Sequence, residues 1–497
     1  MKGNSFKPVI YAVDAHAGSG KTYSAHKFIS QNPDKHFTVC TQTNALSEQQ
    51  RKDLAELGVE ATVFNMDTVA DSCTEDYNRH CEAGRRSTAL LNQGVALQQL
   101  PKAANQNVIF DEITSPLEKF KLVEGISATR KFIADLFPNV RDVGYESFIE
   151  LTKTDEIEEI ATHGKKRQSS VAVLPHVREI CKRIVSPHHL VLVNTKNYLN
   201  FRSNIGEVAS DDDNDEDDIE DDFGNSRQTL VVYVWLLETI LDHLNHIPTF
   251  MGANFYDSKL ALFWGPRVDF RPHPSIRCER NFDVRSKSHL MNAKYLSEKD
   301  VSRTRLDKTG YQTFVHLVAD AVQDAYGSQP HIVTMNTDKD YKWSLESGEV
   351  LSPNPMGLNE YQDRHLGIHL APLNPSKMDI AIWWEVAEVT SKQLMIAQAN
   401  ELQYQFMTRL SVRDAESEKP VDCIFLDKRS ADRFREVMGI EKPAELFVVP
   451  GFGDAPKKPR KTRSDKKTKT PEEIKAANAA KMARYRARKA AAAEMTI

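Results

Sequence analysis

No apolar run in this 497-residue chain approaches the ~20 residues that a bilayer-spanning helix requires. The longest, Thr229-Leu-Val-Val-Tyr-Val-Trp-Leu-Leu, is cut at Glu238 and reads as buried core. The N-terminus lacks the basic-then-apolar arrangement of a secretory signal. Cysteine is scarce, and Cys40, Cys73, Cys81, Cys181, Cys278 and Cys423 are scattered without metal-ligand spacing. Reduced thiols in a cytoplasmic compartment, and no membrane partner, are therefore expected. With 40% hydrophobic and 27% charged residues the composition is that of a soluble globular chain, and its length calls for two or three domains.

The formal net charge of −5 hides a strong asymmetry. Residues 451–497 carry 14 Lys/Arg against 5 Asp/Glu, which leaves the rest of the chain at −14. A basic tail on an acidic body points to a polyanionic partner. Within the body, Asp211–Asp222 holds ten acidic residues in twelve and no aromatic, a self-repelling stretch that reads as a disordered surface loop. In the tail, Pro456-Lys-Lys-Pro-Arg-Lys-Thr-Arg463 is a basic linker, and Thr470-Pro-Glu-Glu473 opens an Ala-rich helix. That helix has no apolar stripe but carries Lys481, Arg484, Arg486, Arg488 and Lys489, which suits phosphate contact without base readout.

Close to the start, the apolar run Val9–Val13 leads into Ala15-His-Ala-Gly-Ser-Gly-Lys-Thr22. Strand, Gly-rich turn and following helix make a phosphate loop, with Ala15 in place of the usual leading glycine. Gly18 and Gly20 let backbone N–H groups converge on phosphate oxygens. Lys21 places a cation on the β- and γ-phosphates and Thr22 offers a hydroxyl to Mg²⁺. His16, Ala17 and Ser19 complete the triphosphate-binding stretch, and the helix from Thr22 adds its positive end. Downstream, Asn107-Val-Ile-Phe-Asp-Glu-Ile113 is an apolar run ending in an acidic pair. Asp111 at a strand end suits Mg²⁺, and Glu112 suits the attacking water.

The first ~115 residues alternate strand and helix signals as βαβ units do. The pattern predicts strands at His36–Cys40 and Ala61–Phe64 and a helix over Glu48–Leu57 capped by Ser47 or Asn44. Further strands are expected at His189–Asn194, Thr249–Asn254, Pro330–Asn336, Leu366–Leu370 and Val421–Leu426, with helices over Tyr311–Tyr326 and Ala397–Leu410. On the last helix Gln405, Arg409 and Arg413 would share one face. No second phosphate loop occurs in this half.

The phosphate loop, Thr41-Gln-Thr-Asn-Ala, Phe110-Asp-Glu-Ile and Gln405-Phe-Met-Thr-Arg-Leu-Ser-Val-Arg413 together resemble a superfamily 2 DEAD/DEAH-related helicase, closest in look to phage- and plasmid-type replication helicases. The resemblance covers roughly residues 8–130 and 330–430, in scattered motifs. It implies an α/β fold with two RecA-like parallel-sheet lobes facing one ATP and Mg²⁺. The first lobe would span 1–265 with an insertion over 130–240, the second 266–450, and a basic linker and helix 451–497.

The resemblance further implies that Thr41, Gln42, Thr43 and Asn44 contact a nucleic-acid backbone and that Gln405 contacts ATP. Either Arg409 or Arg413 would act as an arginine finger, Thr408 standing where the family has glycine. Gly357 and Asp363 would lie in the segment linking ATP to nucleic acid. Two segments fit the coupling motif, Ser127-Ala-Thr129 and Gly252-Ala-Asn254, the second having the better strand before it. No glutamine with a suitable aromatic precedes the loop, so ATP specificity is implied by the resemblance alone.

The activity implied is ATP-driven helicase or translocase action on DNA rather than RNA, in replication and with replication proteins as partners, in the host cytoplasm for a phage-encoded chain. Two other readings compete. A viral packaging motor with a nuclease domain predicts two metals on acidic strand residues, with Asp379, Glu385 and Glu388 as candidates. An origin-binding protein with a degenerate ATPase is opposed by the intact Lys21, Thr22, Asp111 and Glu112.

Overall fold

The computed structural model describes residues 7–65, 72–84, 87–92, 105–113, 115–123, 127–163, 175–203, 229–236, 244–278, 283–303, 305–306, 310–336, 341–353 and 360–452. The acidic stretch Asp211–Asp222, Gly357 and the tail with Arg484, Arg486 and Arg488 lie outside them. Along the chain run β1 (Val9–Asp14), β2 (Phe37–Thr41), β3 (Ala61–Phe64), β4 (Thr88–Asn92) and β5 (Asn107–Asp111). Next come β6 (Leu117–Val123), β7 (Val140–Arg141), β8 (Phe148–Leu151), β9 (His189–Asn194) and β10 (Thr229–Leu236). Then follow β11 (Thr249–Gly252) and β12 (Asp269–Pro272). The last six are β13 (Met291–Tyr295), β14 (His331–Thr334), β15 (Gly348–Leu351), β16 (Leu366–His369), β17 (Val421–Phe425) and β18 (Glu445–Leu446).

The first sheet is seven-stranded in the order β12-β1-β11-β5-β2-β4-β3, and every neighbouring pair is parallel. β2 is buried at all five positions, as a central parallel strand covered on both faces must be. The sequence pattern found β1, β2, β3, β5 and β11, but not β4 or β12. Because β12 pairs with β1, the first lobe runs past position 265 to Pro272. The register puts Asp14 beside Gly252 and Met251 beside Asp111, so three strands end level. Loops leaving the carboxyl ends of parallel strands are where such sheets bind ligands.

The second parallel sheet has six strands in the order β15-β14-β16-β17-β13-β18. The helix Tyr311–Tyr326 covers it with Tyr311, Phe314, Val315, Val318, Ala319 and Val322, an i, i+3, i+4 apolar face. These two sheets are the expected pair of RecA-like lobes in an α/β chain. Both belong to one compact unit, Met1–Glu118 with Trp235–Phe452. An apolar cluster within it joins Ala17 and Ala253 of the first lobe to Tyr404, Phe406 and Met407 of the second.

Residues Lys119–Val234 fall in a separate compact unit. It contains a five-stranded sheet ordered β6-β10-β9-β8-β7, antiparallel at β7–β8 and β8–β9, around a core that includes Phe137, Ile157, Ile180 and Val193. Ser127-Ala-Thr129 opens the helix Ser127–Leu136 there, whereas Gly252-Ala-Asn254 follows a central strand of the first sheet. Among the described residues no helix is long and apolar enough to cross a membrane.

Candidate nucleotide site between two sheets

The loop Ala15–Gly20 leaves β1 and enters the helix Lys21–Ser30. Its N–H at Ala15 donates to the Gly252 carbonyl at 3.3 Å, tying it to the neighbouring strand. Gly18 and Gly20 have φ of 77° and 79°, in the left-handed region that a side chain disfavours. Lys21 lies across the loop and donates from Nζ to the carbonyls of Ala15 and His16 at 2.8 and 3.1 Å.

Asp111 ends β5 almost fully buried. The Thr22 hydroxyl reaches its two oxygens at 3.2 and 3.0 Å, and the Gln50 side-chain amide donates to Oδ2. Burial, and then the charge of Glu112, push the Asp111 carboxyl up to about 7. A buried carboxylate held against a loop hydroxyl is a donor set that fits a divalent cation. Glu112 follows at φ 81°, a conformation non-glycine residues rarely hold and one that turns the chain sharply at the strand end.

The second lobe supplies the facing wall. The Tyr404 hydroxyl accepts the Ala17 N–H at 3.0 Å and lies 3.4 Å from His16 Nδ1. Burial first, then the Arg285 charge, lower the His16 pKa, which favours a neutral ring beside that hydroxyl. Gly18 is close-packed, since an added Cβ would sit 3.3 Å from Val284 Cγ1 and 3.8 Å from Arg413 Cγ. Arg409 is buried, and Glu112 is the carboxylate whose field reaches both it and Arg413. Burial and the nearby Arg409 lower the Arg413 pKa, which is the electrostatics of a site suited to an anion.

The expected common helical face for Gln405, Arg409 and Arg413 is corrected here. The helix ends at Met407, Arg409 lies in the turn after it, and Arg413 ends a 3-10 turn over Ser411–Arg413. The reason is local: Leu410 is extended, and Arg413 Nε donates to the Thr408 carbonyl at 2.6 Å, which closes the helix end. Gln405 stays on the helix, buried, and donates to Glu401 Oε1 at 3.0 Å. Glu401 Oε2 accepts from Asn254 Nδ2 of the first lobe at 2.9 Å.

At the expected nucleic-acid contact, the cap of the helix Asn44–Glu56 is Thr43, not Ser47 or Asn44, and its hydroxyl accepts the Leu46 N–H at 3.2 Å. Thr43 and Asn44 are exposed. Thr41 is not, because it is fully buried and its hydroxyl is used by the Thr43 carbonyl and the Ser47 hydroxyl. Gln42 Nε2 donates to the Ile113 carbonyl at 3.2 Å, directly after the acidic pair. Asp363 is exposed and pairs with its neighbour Arg364.

The acidic candidates of the packaging reading do not form its metal site. Asp379 and Glu385 lie on the helix Lys377–Ala387, Glu388 caps its end, and Asp379 is committed to a capping box with Ser376. No group of three or more potential metal ligands occurs among the described residues.

Sequence reading missed Gln50, Glu401 and Tyr404. Helical spacing could have found the last two, which lie four and one positions before Gln405, but nothing in the sequence ties Gln50 to Asp111.

No protein-family model and no curated protein matches the chain. Among solved structures it is similar to Xpd4 of S. tokodaii, with a TM-score of 0.41, 12% identity and coverage of 88% of this chain and 96% of that one. It is also similar to the DUF1998 helicase MrfA bound to DNA and AMPPNP, with a TM-score of 0.30, 11% identity and coverage of 88% and 50%.

Proposed function

We propose that the chain is an ATP hydrolase of the superfamily 2 helicase type, a motor that acts on nucleic acid. The observation that carries this reading is the meeting of two parallel sheets at one phosphate loop, with Tyr404 on the Ala17 N–H and Arg413 against Gly18. Lys21 and the loop Ala15–Gly20 bind the triphosphate, while Gln405 orients it from the second lobe. Thr22 and Asp111 would hold Mg²⁺, which when bound neutralises charge developing on the phosphates.

Glu112, held in the left-handed backbone region directly after β5, accepts the proton of the attacking water. Arg409 and Arg413 bring positive charge from the second lobe, so hydrolysis depends on the two lobes being together. Thr43 and Asn44, exposed at a helix N-terminus, contact a strand backbone, and Gln42 carries that contact to the Ile113 carbonyl beside Glu112. DNA, a role in replication, phosphate contacts from Arg484, Arg486 and Arg488, and a cytoplasmic site of action complete the reading.

The test is hydrolysis by the full chain with no nucleic acid, single-stranded DNA, duplex DNA and RNA. The expected result is DNA-stimulated hydrolysis that Lys21→Ala abolishes while DNA binding persists. Stimulated hydrolysis in the Lys21→Ala variant would sink the assignment.

A further inference from the structure

The segment that delivers Gln405 to the cleft is not one regular helix. Its first turns, Ser391–Met395, pass into a π-helical stretch at Ile396–Asn400 before α-helix resumes over Glu401–Met407. A π-turn holds an extra residue and so rotates everything after it, which is why such turns mark functional positions. After this one, Glu401, Tyr404 and Gln405 stand at i, i+3 and i+4 and share one face.

Glu401 is used from both sides of the cleft. One carboxylate oxygen takes the Asn254 amide of the first lobe at 2.9 Å, and the other takes the Gln405 amide of the second at 3.0 Å. Asn254 is fixed at φ 49° two residues after β11, whose register neighbours are the strands carrying Asp14 and Asp111. The carboxylate also lies within the field of Lys21 and Glu112, and enclosure pushes it up to about 7.

We infer that Glu401 is a positioning residue that holds the two lobes in catalytic register by accepting one hydrogen bond from each. The inference rests on the ATPase reading for what the register serves, and on the two hydrogen bonds for the bridge itself. A carboxylate with each oxygen held by an amide donor cannot shift without straining one of those bonds, so the Gln405 helix and the Asn254 strand end move together. A displacement near 1 Å at such a join costs on the order of a hundredfold in rate.

The experiment is a swap of the donor and acceptor chemistry. Asn254→Asp removes the amide donor and sets a second carboxyl group against Glu401, and Glu401→Gln meets two amide donors with an amide. In the double variant the Gln side chain at 401 donates to Asp at 254 and still accepts from Gln405, so every partner is restored. Each chain is measured for nucleotide-free thermal unfolding and for kcat and KM of hydrolysis.

The expected result is that N254D loses about ten- to a hundredfold in kcat with KM little changed, and unfolds earlier. The double variant should regain most of both, well beyond the sum of the single effects. If N254D does not fold, Asn254→Ala takes its place, and adding Glu401→Gln to it should then cost little more. Additive unfolding effects overturn the bridge, and rescue of unfolding without rescue of kcat overturns the positioning role. Absence of hydrolysis in the unsubstituted chain overturns the ATPase reading instead, and the unfolding arm still tests the bridge.

Discussion

Replacing Tyr404 with Phe removes one oxygen atom and leaves the ring in place, so it isolates a single contact between the lobes. The hydroxyl accepts the Ala17 N–H at 3.0 Å. Tyr404 is 2% exposed and Ala17 7%, so water has little room to take over as acceptor. A buried donor left without a partner costs about 1–3 kcal/mol, and no cavity is added because the ring volume is kept. The His16 contact at 3.4 Å is long and contributes little beyond this. About 1.5 kcal/mol is therefore expected.

Urea unfolding followed by tryptophan fluorescence reads that loss, since Trp264, Trp343, Trp383 and Trp384 belong to the compact unit that contains both parallel sheets. With an m-value of about 3 kcal/mol/M, the midpoint should fall by on the order of 0.5 M. An unchanged midpoint would refute the reasoning, because it would mean that the Ala17 N–H is satisfied equally well without the tyrosine oxygen.

Other substitutions probe the same cleft. Gln50→Ala removes the amide that donates to buried Asp111, and loss of about 2–4 kcal/mol of unfolding stability is expected from a charge-assisted bond plus the space left behind. Gly252→Ala would overlap Cγ1 and Cδ1 of Ile113 and should cost about 1–3 kcal/mol. Shortening Ile113 to Ala in the same chain should recover part of that loss, and no recovery would place the strain elsewhere. Asp111 has a raised pKa of about 7 in the folded chain, so the native state binds more protons than the unfolded state between about pH 4 and pH 7. Its contribution is present at low pH and lost as pH rises through 7, so the metal-free protein should lose stability over that window and Asp111→Asn should flatten the decline.

The strands carrying the site were legible because each is an apolar run closed by residues with special chemistry. Val9–Val13 before the glycine loop and Val108–Phe110 before Asp111-Glu112 identify themselves by type and order alone. The strand at Thr249–Gly252 was equally visible, but its place between β1 and β5 is set by long-range register. β4 escaped notice although Thr88–Asn92 is as long as β2, because its pairing with β2 is a long-range fact.

The sequence by itself determined the half of the site that local rules build: the positive-φ glycines, the lysine and threonine at the helix start, and the acidic pair at a strand end. It also placed the second-lobe motif, since Gln405, Arg409 and Arg413 are recognisable by type and spacing. Tertiary structure decided how those residues are presented. Regular helical spacing put Gln405 and both arginines on one face, yet the chain leaves the helix at Met407, and a hydrogen bond from Arg413 to Thr408 shapes the turn. Tertiary structure also decided the joins across the cleft, Tyr404 on Ala17 and Glu401 on Asn254, because hydrogen bonds between residues far apart in sequence leave no periodicity to read.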